Sequence, residues 1–207
     1  MLAMGLGVAA LLLGSAPPAA YADSPYDYGY TGGDDRNRQP DSRDHWHCKN
    51  YFDIHQDWLN SAMSQLDAQT VMYRQDSSSC GSLTDVVWIK TALNAIAGGQ
   101  LVGRSTCASH VSWGVCEQFW IEIDQPLHYV LAFSLGPSDP GAWYDLNLTQ
   151  TLRHELGHSA GLHHGPAGDL NPTWGAMIVA WIPNGNPNWL IYLAYQTFQV
   201  NLINSHL

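Results

Sequence analysis

The chain has 207 residues, with 18 acidic side chains against 8 basic and a formal net charge of −10. A surface this acidic excludes nucleic acid as a partner. A length of 207 with 45% hydrophobic residues supplies one respectable core and falls short of two large domains.

Residues 1–22 carry no charge, run apolar from Leu6 to Leu13 and end in Ala20-Tyr21-Ala22. This is the pattern of a signal peptide cut after Ala22, in a stretch too short to stay in a bilayer, so the expected location is secreted and extracellular with no stable membrane insertion. Residues 23–44 (DSPYDYGYTGGDDRNRQPDSRD) are nearly free of aliphatic side chains and read as a flexible leader or short pro-segment. His45 and His47 flank Trp46; they could form a second metal site, but two histidines at i, i+2 beside such a leader read as surface residues. From Asp57 to Gln75, near-helical spacing of Trp58, Ala62, Leu66 and Met72 predicts an amphipathic helix.

Asp85 to Ile89 is a β-branched and aromatic run that predicts a buried strand, followed by a glycine-containing loop to Cys107. Phe119 to Ile123 predicts a second strand and Tyr129 to Leu135 a third. The GPSDPG stretch of 136–141 breaks the pattern. Beyond it a helix is predicted through Leu148, Leu152 and Leu156, capped by Asp145 or Asn147. Asn186-Pro187 with Trp189, Tyr192, Leu193 and Tyr195 predicts a closing helix with proline in its first turn. The four cysteines of an exported chain read as two disulfides. Three pairings are open, and the short interval from Cys107 to Cys116 suits a local closure that leaves Cys48 with Cys80. Nine tryptophans and ten tyrosines, scattered through these elements, are explained by core packing.

Residues 154–164 read HELGHSAGLHH and carry the chemistry. On a helix, i and i+4 share a face, so His154 and His158 can present imidazoles to one ion at about 2.0–2.1 Å. Glu155, rotated by roughly 100°, can reach a metal-activated water without itself becoming a ligand. Gly161 permits a left-handed turn that stops the helix and returns His164 to the metal. His163 could replace His164, but the motif spacing favours His164. Three imidazoles leave a fourth position open, as in a catalytic zinc. Five fixed positions at this spacing arise by chance in on the order of one in 10⁵ such chains, which makes an incidental helix a poor explanation.

These residues resemble the metzincin zinc peptidases, most closely the matrixin branch, whose active-site helix reads much like HELGHSAGL. The resemblance makes Met177, in Trp174-Gly175-Ala176-Met177, the family's methionine turn beneath the metal. Val179 stands where astacin- and serralysin-like members place a tyrosine ligand, which disfavours those branches. No cysteine-switch motif surrounds Cys48 or Cys80. The likeness is close over 154–177 and looser back to about 83.

The resemblance implies an α+β fold with a twisted, mostly parallel sheet, an antiparallel edge strand, an active-site helix and a small C-terminal subdomain below the zinc. The whole would span 45–207, with a cleft boundary near 161–165. The expected function is that of a zinc-dependent endopeptidase with one catalytic Zn²⁺, a monomer whose protein or peptide substrate lies extended along an edge strand, either Phe119–Ile123 or Tyr129–Leu135. Residues Ile178 to Pro183 would help wall the pocket. Calcium is compatible with this chemistry, but no residue pattern assigns it. Two other readings use the same site: a secreted zinc-containing binding module without peptidase activity, and a zinc amidase acting on cell-wall peptides.

Overall fold

The computed structural model describes residues 39–50, 52–54, 56–93, 101–112, 115–134, 138–163, 172–177, 182 and 190–207. The predicted signal peptide lies outside these residues. They form an α+β fold around one mixed sheet, with strands β1 (Gln39–Pro40), β2 (Asp44–Asn50), β3 (Tyr73–Asp76), β4 (Val86–Lys90), β5 (Gly103–Ser112) and β6 (Val115–Ile123). Helices are α1 (Gln56–Gln69), α2 (Gln125–Ser134), α3 (Pro140–Ser159) and α4 (Thr197–His206).

Parallel pairing links β3 to β2, β2 to β4 and β4 to β6, with Val86 opposite Phe119 and His47 opposite Val86. β5 runs antiparallel along β6, from Gly103 opposite Ile123 to Ser112 opposite Val115. It therefore occupies one whole side of β6, and β1 continues on the β4 side, where Pro40 pairs with Cys116. The order is β5-β6-β4-β2-β3, which makes β5 the antiparallel edge. Hence neither segment expected at the edge lies there: Phe119–Ile123 is held on both sides.

Val86, Trp88, Ile121 and Ile123 face the helices and form one core with Leu59, Ala62, Met63 and Leu66 of α1 and Leu148, Leu152 and Leu156 of α3. Burying each such side chain contributes about 1.5–3 kcal/mol. The buried set of α1 follows i, i+3, i+4, i+7 and stops at Leu66; Met72 is buried outside the helix, at the entry to β3. The predicted helix thus ends early, because Tyr73–Asp76 pairs with β2.

Tyr129 to Ser134 is helical and not a strand, and Leu135 lies outside the described residues. Asp124 accepts the Leu127 N–H through Oδ1 at 2.9 Å, Pro126 sits in the first turn, and His128, Leu131 and Ala132 are buried at helical spacing. α3 also starts earlier than predicted: Asp139 Oδ1 caps the Ala142 N–H at 3.0 Å and Pro140 opens the first turn. Asn147 lies inside the helix, where its Oδ1 accepts the Ile182 N–H at 2.9 Å. The closing helix begins later, at Thr197, with a Gln196–Gln199 capping box; of the predicted one, Ile191–Leu193 forms a single 3-10 turn and 183–189 lie outside the described residues.

His45 and His47 are not surface residues. Both lie on the inner face of β2, at 1% and 3% exposure. Residues 39–44 of the expected leader join or adjoin the sheet. The disulfides are Cys48–Cys80 and Cys107–Cys116. Among the described residues no helix is long and apolar enough to cross a membrane.

Candidate metal centre

α3 is buried along most of its circumference from Trp143 to Ser159, between the sheet and the C-terminal segments. Its end is set by Gly161, whose φ of 84° is left-handed. The Gly161 N–H returns to the His158 carbonyl and the Leu162 N–H to the Gly157 carbonyl, both at 2.9 Å. This is a Schellman closure, and Leu162 completes it by packing into the core that holds Leu156.

The closure also orients an imidazole. His158 Nδ1 lies 2.7 Å from the Leu162 carbonyl oxygen, and His154 Nδ1 lies 3.1 Å from that of Ala176. A carbonyl only accepts, so each Nδ1 carries the proton and each Nε2 presents its lone pair. The two Nε2 atoms stand 3.3 Å apart, with the rings at 85°. Two nitrogens each about 2.05 Å from one tetrahedral ion are about 3.3 Å apart, so this pair fits zinc without rearrangement. Burial, and then the neighbouring His154, hold the His158 pKa well below the usual histidine value. That keeps the ring neutral, as a ligand must be.

The Ala176 carbonyl is placed by its own supports. Gln150 Nε2 donates to it at 3.1 Å and the Ala176 N–H bonds the Ala194 carbonyl at 2.9 Å. Gly175, with φ 48°, leaves no room for a side chain against that same Ala194 carbonyl. Met177 is fully buried, and its sulfur lies where a Cβ on Gly157 would stand. The methionine thus packs directly beneath the histidine-bearing turn. Tyr195 closes the other side, donating its hydroxyl to the Arg153 carbonyl at 2.7 Å.

Glu155 is 2% exposed. Burial pushes its pKa up to about 8, partly opposed by a hydrogen bond from the Ser105 N–H and by the charge of Arg104. A Cβ on Gly103 would stand 2.7 Å from Glu155 Oε1, so the carboxyl rests against the first residues of β5. His163 is half-buried and close enough to His158 for its charge to disfavour protonation there.

The structure therefore brings together His154, His158, Glu155 and Met177. His164 lies outside the described residues, as do 178–181 and 183 of the expected pocket wall. Among the described residues no cluster of three or more His, Cys, Asp or Glu side chains could hold a metal. Gly103, Ser105 and Tyr195 were not legible as parts of this centre. Their proximity is set by tertiary packing, and no local spacing signals it.

No family model matches the chain, and no curated protein matches it. Among solved structures, the GM1-bound form of the ECX AB5 holotoxin is 16% identical, over 78% of this chain and 77% of that one, at a TM-score of 0.44. Archaemetzincin from Methanopyrus kandleri is 13% identical, over 80% of this chain and 97% of that one, at 0.45. Likenesses at this level assign neither family nor activity.

Proposed function

We propose that the chain is a secreted zinc-dependent endopeptidase in which His154, His158 and His164 hold the metal and Glu155 is the general base. The observation that carries this reading is the 3.3 Å separation of the two Nε2 atoms, each ring oriented by a backbone carbonyl behind it. A zinc ion held there supplies a Lewis acid for the scissile carbonyl and lowers the pKa of water to about 7.

Glu155 takes the proton of the attacking water and passes it to the leaving amine. A base poised near neutral pH serves both transfers. Its carboxyl lies against the start of β5, the antiparallel edge, so an extended peptide adding to that edge would bring its backbone to the same place. The two disulfides suit an oxidising, extracellular setting.

The test uses the full chain. Metal analysis is expected to give one zinc per chain, lost in His154→Ala and His158→Ala and retained in Glu155→Ala. Digestion of a peptide library, read by mass spectrometry, should fall by about 10²–10⁴ in Glu155→Ala and cease with a chelator. A wild type that binds no zinc overturns the proposal. Zinc retention without any cleavage points instead to a binding module, and cleavage confined to cell-wall peptides to an amidase.

A further inference from the structure

Two residues of β5 face Glu155, and the mechanism above does not use them. Gly103 is buried and pairs with Ile123. A Cβ there would collide with Glu155 Oε1 and with Thr151 Cγ2, each at 2.7 Å, and with Glu155 Cγ at 2.9 Å. The niche that receives the carboxyl exists because this position has no side chain.

Ser105 is two residues on. Side chains two apart on a strand share a face, so the Ser105 side chain lies on the side where α3 packs. Its backbone N–H donates to the Glu155 carboxylate. Its hydroxyl is buried and has no hydrogen-bond partner among the described residues. A buried hydroxyl left unpaired costs about 1–3 kcal/mol, and such groups in native folds call for an explanation. The same residue's N–H already donates to the Glu155 carboxylate, whose oxygens can accept a second donor.

We propose that Ser105 is a positioning residue for Glu155. Its N–H and, after rotation of the side chain, its hydroxyl both donate to the carboxylate and together hold it in the niche at Gly103. The inference rests on Glu155 being the base; the seating of the side chain is separately observable.

The test compares zinc-loaded wild type, Ser105→Ala and Ser105→Thr. In Ser105→Ala, kcat should fall about tenfold, the effect of one lost hydrogen bond to a charged group, while KM stays within about twofold. Zinc content should not change. Ser105→Thr, which keeps the hydroxyl, should recover kcat to within about threefold. Crystal structures of the same proteins give a readout free of activity: Glu155 should leave the Gly103 niche in Ser105→Ala and occupy it in Ser105→Thr.

The proposal is overturned if Glu155 stays seated in Ser105→Ala with kcat unchanged, if the loss falls on KM, or if threonine restores nothing. A wild type that seats Glu155 and binds zinc but cleaves no peptide defeats the peptidase reading instead. In that case the crystal structures alone decide the positioning role.

Discussion

His45 offers a quantitative check on the fold beneath the candidate centre. It sits on β2, 1% exposed, with neither ring nitrogen hydrogen-bonded among the described residues, although the Ser159 backbone at the end of α3 lies beside it. His47 packs edge-on at 5.5 Å. Burial lowers the His45 pKa from 6.5 to about 4, with Ser159 and Asp44 pulling weakly the other way. The unfolded chain therefore takes up a proton near pH 6.5, whereas the folded chain resists until about pH 4. Stability from this residue is fully present above pH 6.5 and is lost as pH falls toward 4. Linkage gives a loss of about 2 kcal/mol by pH 5 and about 3 by pH 4. The assay is urea unfolding of wild type and His45→Leu, with excess chelator so that metal release contributes nothing. Between pH 7.5 and pH 5 the wild type should lose about 2 kcal/mol more than the variant. An unchanged difference would show that His45 is not held neutral in the interior, and the placement of β2 under α3 would be wrong.

Two further perturbations test other parts of the structure. Gly157→Ala places a methyl on the Met177 sulfur and against Tyr195 Cε1 at 3.1 Å, so it should destabilise the fold by about 1–3 kcal/mol in urea unfolding and weaken zinc binding. Asp85 is the opposite case from His45: burial, with Asp41 and Asp44 nearby, raises its pKa to about 7, against the Trp46 N–H that its Oδ2 accepts at 2.6 Å. An acid whose folded pKa is raised loses stability as pH climbs from about 4 to 7. Asp85→Asn should therefore gain stability over wild type at pH 8 and not at pH 4, by about 1 kcal/mol once solvent screening of this half-buried group is allowed for.

The legible parts of the sequence were those whose signal is local. Leu148, Leu152 and Leu156 recur every four residues, and Val86 to Ile89 is an unbroken apolar run, so both elements are legible in kind. α2 was misread because its buried positions, His128, Leu131 and Ala132, include only one strongly apolar side chain, while exposed Tyr129, Val130 and Phe133 gave it the composition of a strand. The histidines of β2 hid a buried strand face for the same reason, since polar residues at i and i+2 do not read as core. β5 does not read as a strand because its residues, GRSTCASHVS, are mostly small or polar. The sequence leaves three disulfide pairings open, and the structure holds the one that the short Cys107–Cys116 interval suits.

The centre itself divides along the same line. The spacing of His154 and His158 on α3 is set by helix geometry and can be read in HELGH. The orientation of each ring is not, because it depends on carbonyls that tertiary contacts deliver. Leu162 brings one through the Schellman closure, and Ala176 brings the other through Gln150, Ala194 and the side-chain-free Gly175. With both Nδ1 protons committed to those carbonyls, two Nε2 lone pairs converge at 3.3 Å, a separation that favours a cation between them. A helix that merely displayed two histidines to solvent would leave both rings free to rotate and would commit neither tautomer. The fixed orientation of the two rings therefore depends less on the motif than on the two backbone oxygens behind them, neither of which belongs to the helix that carries the histidines.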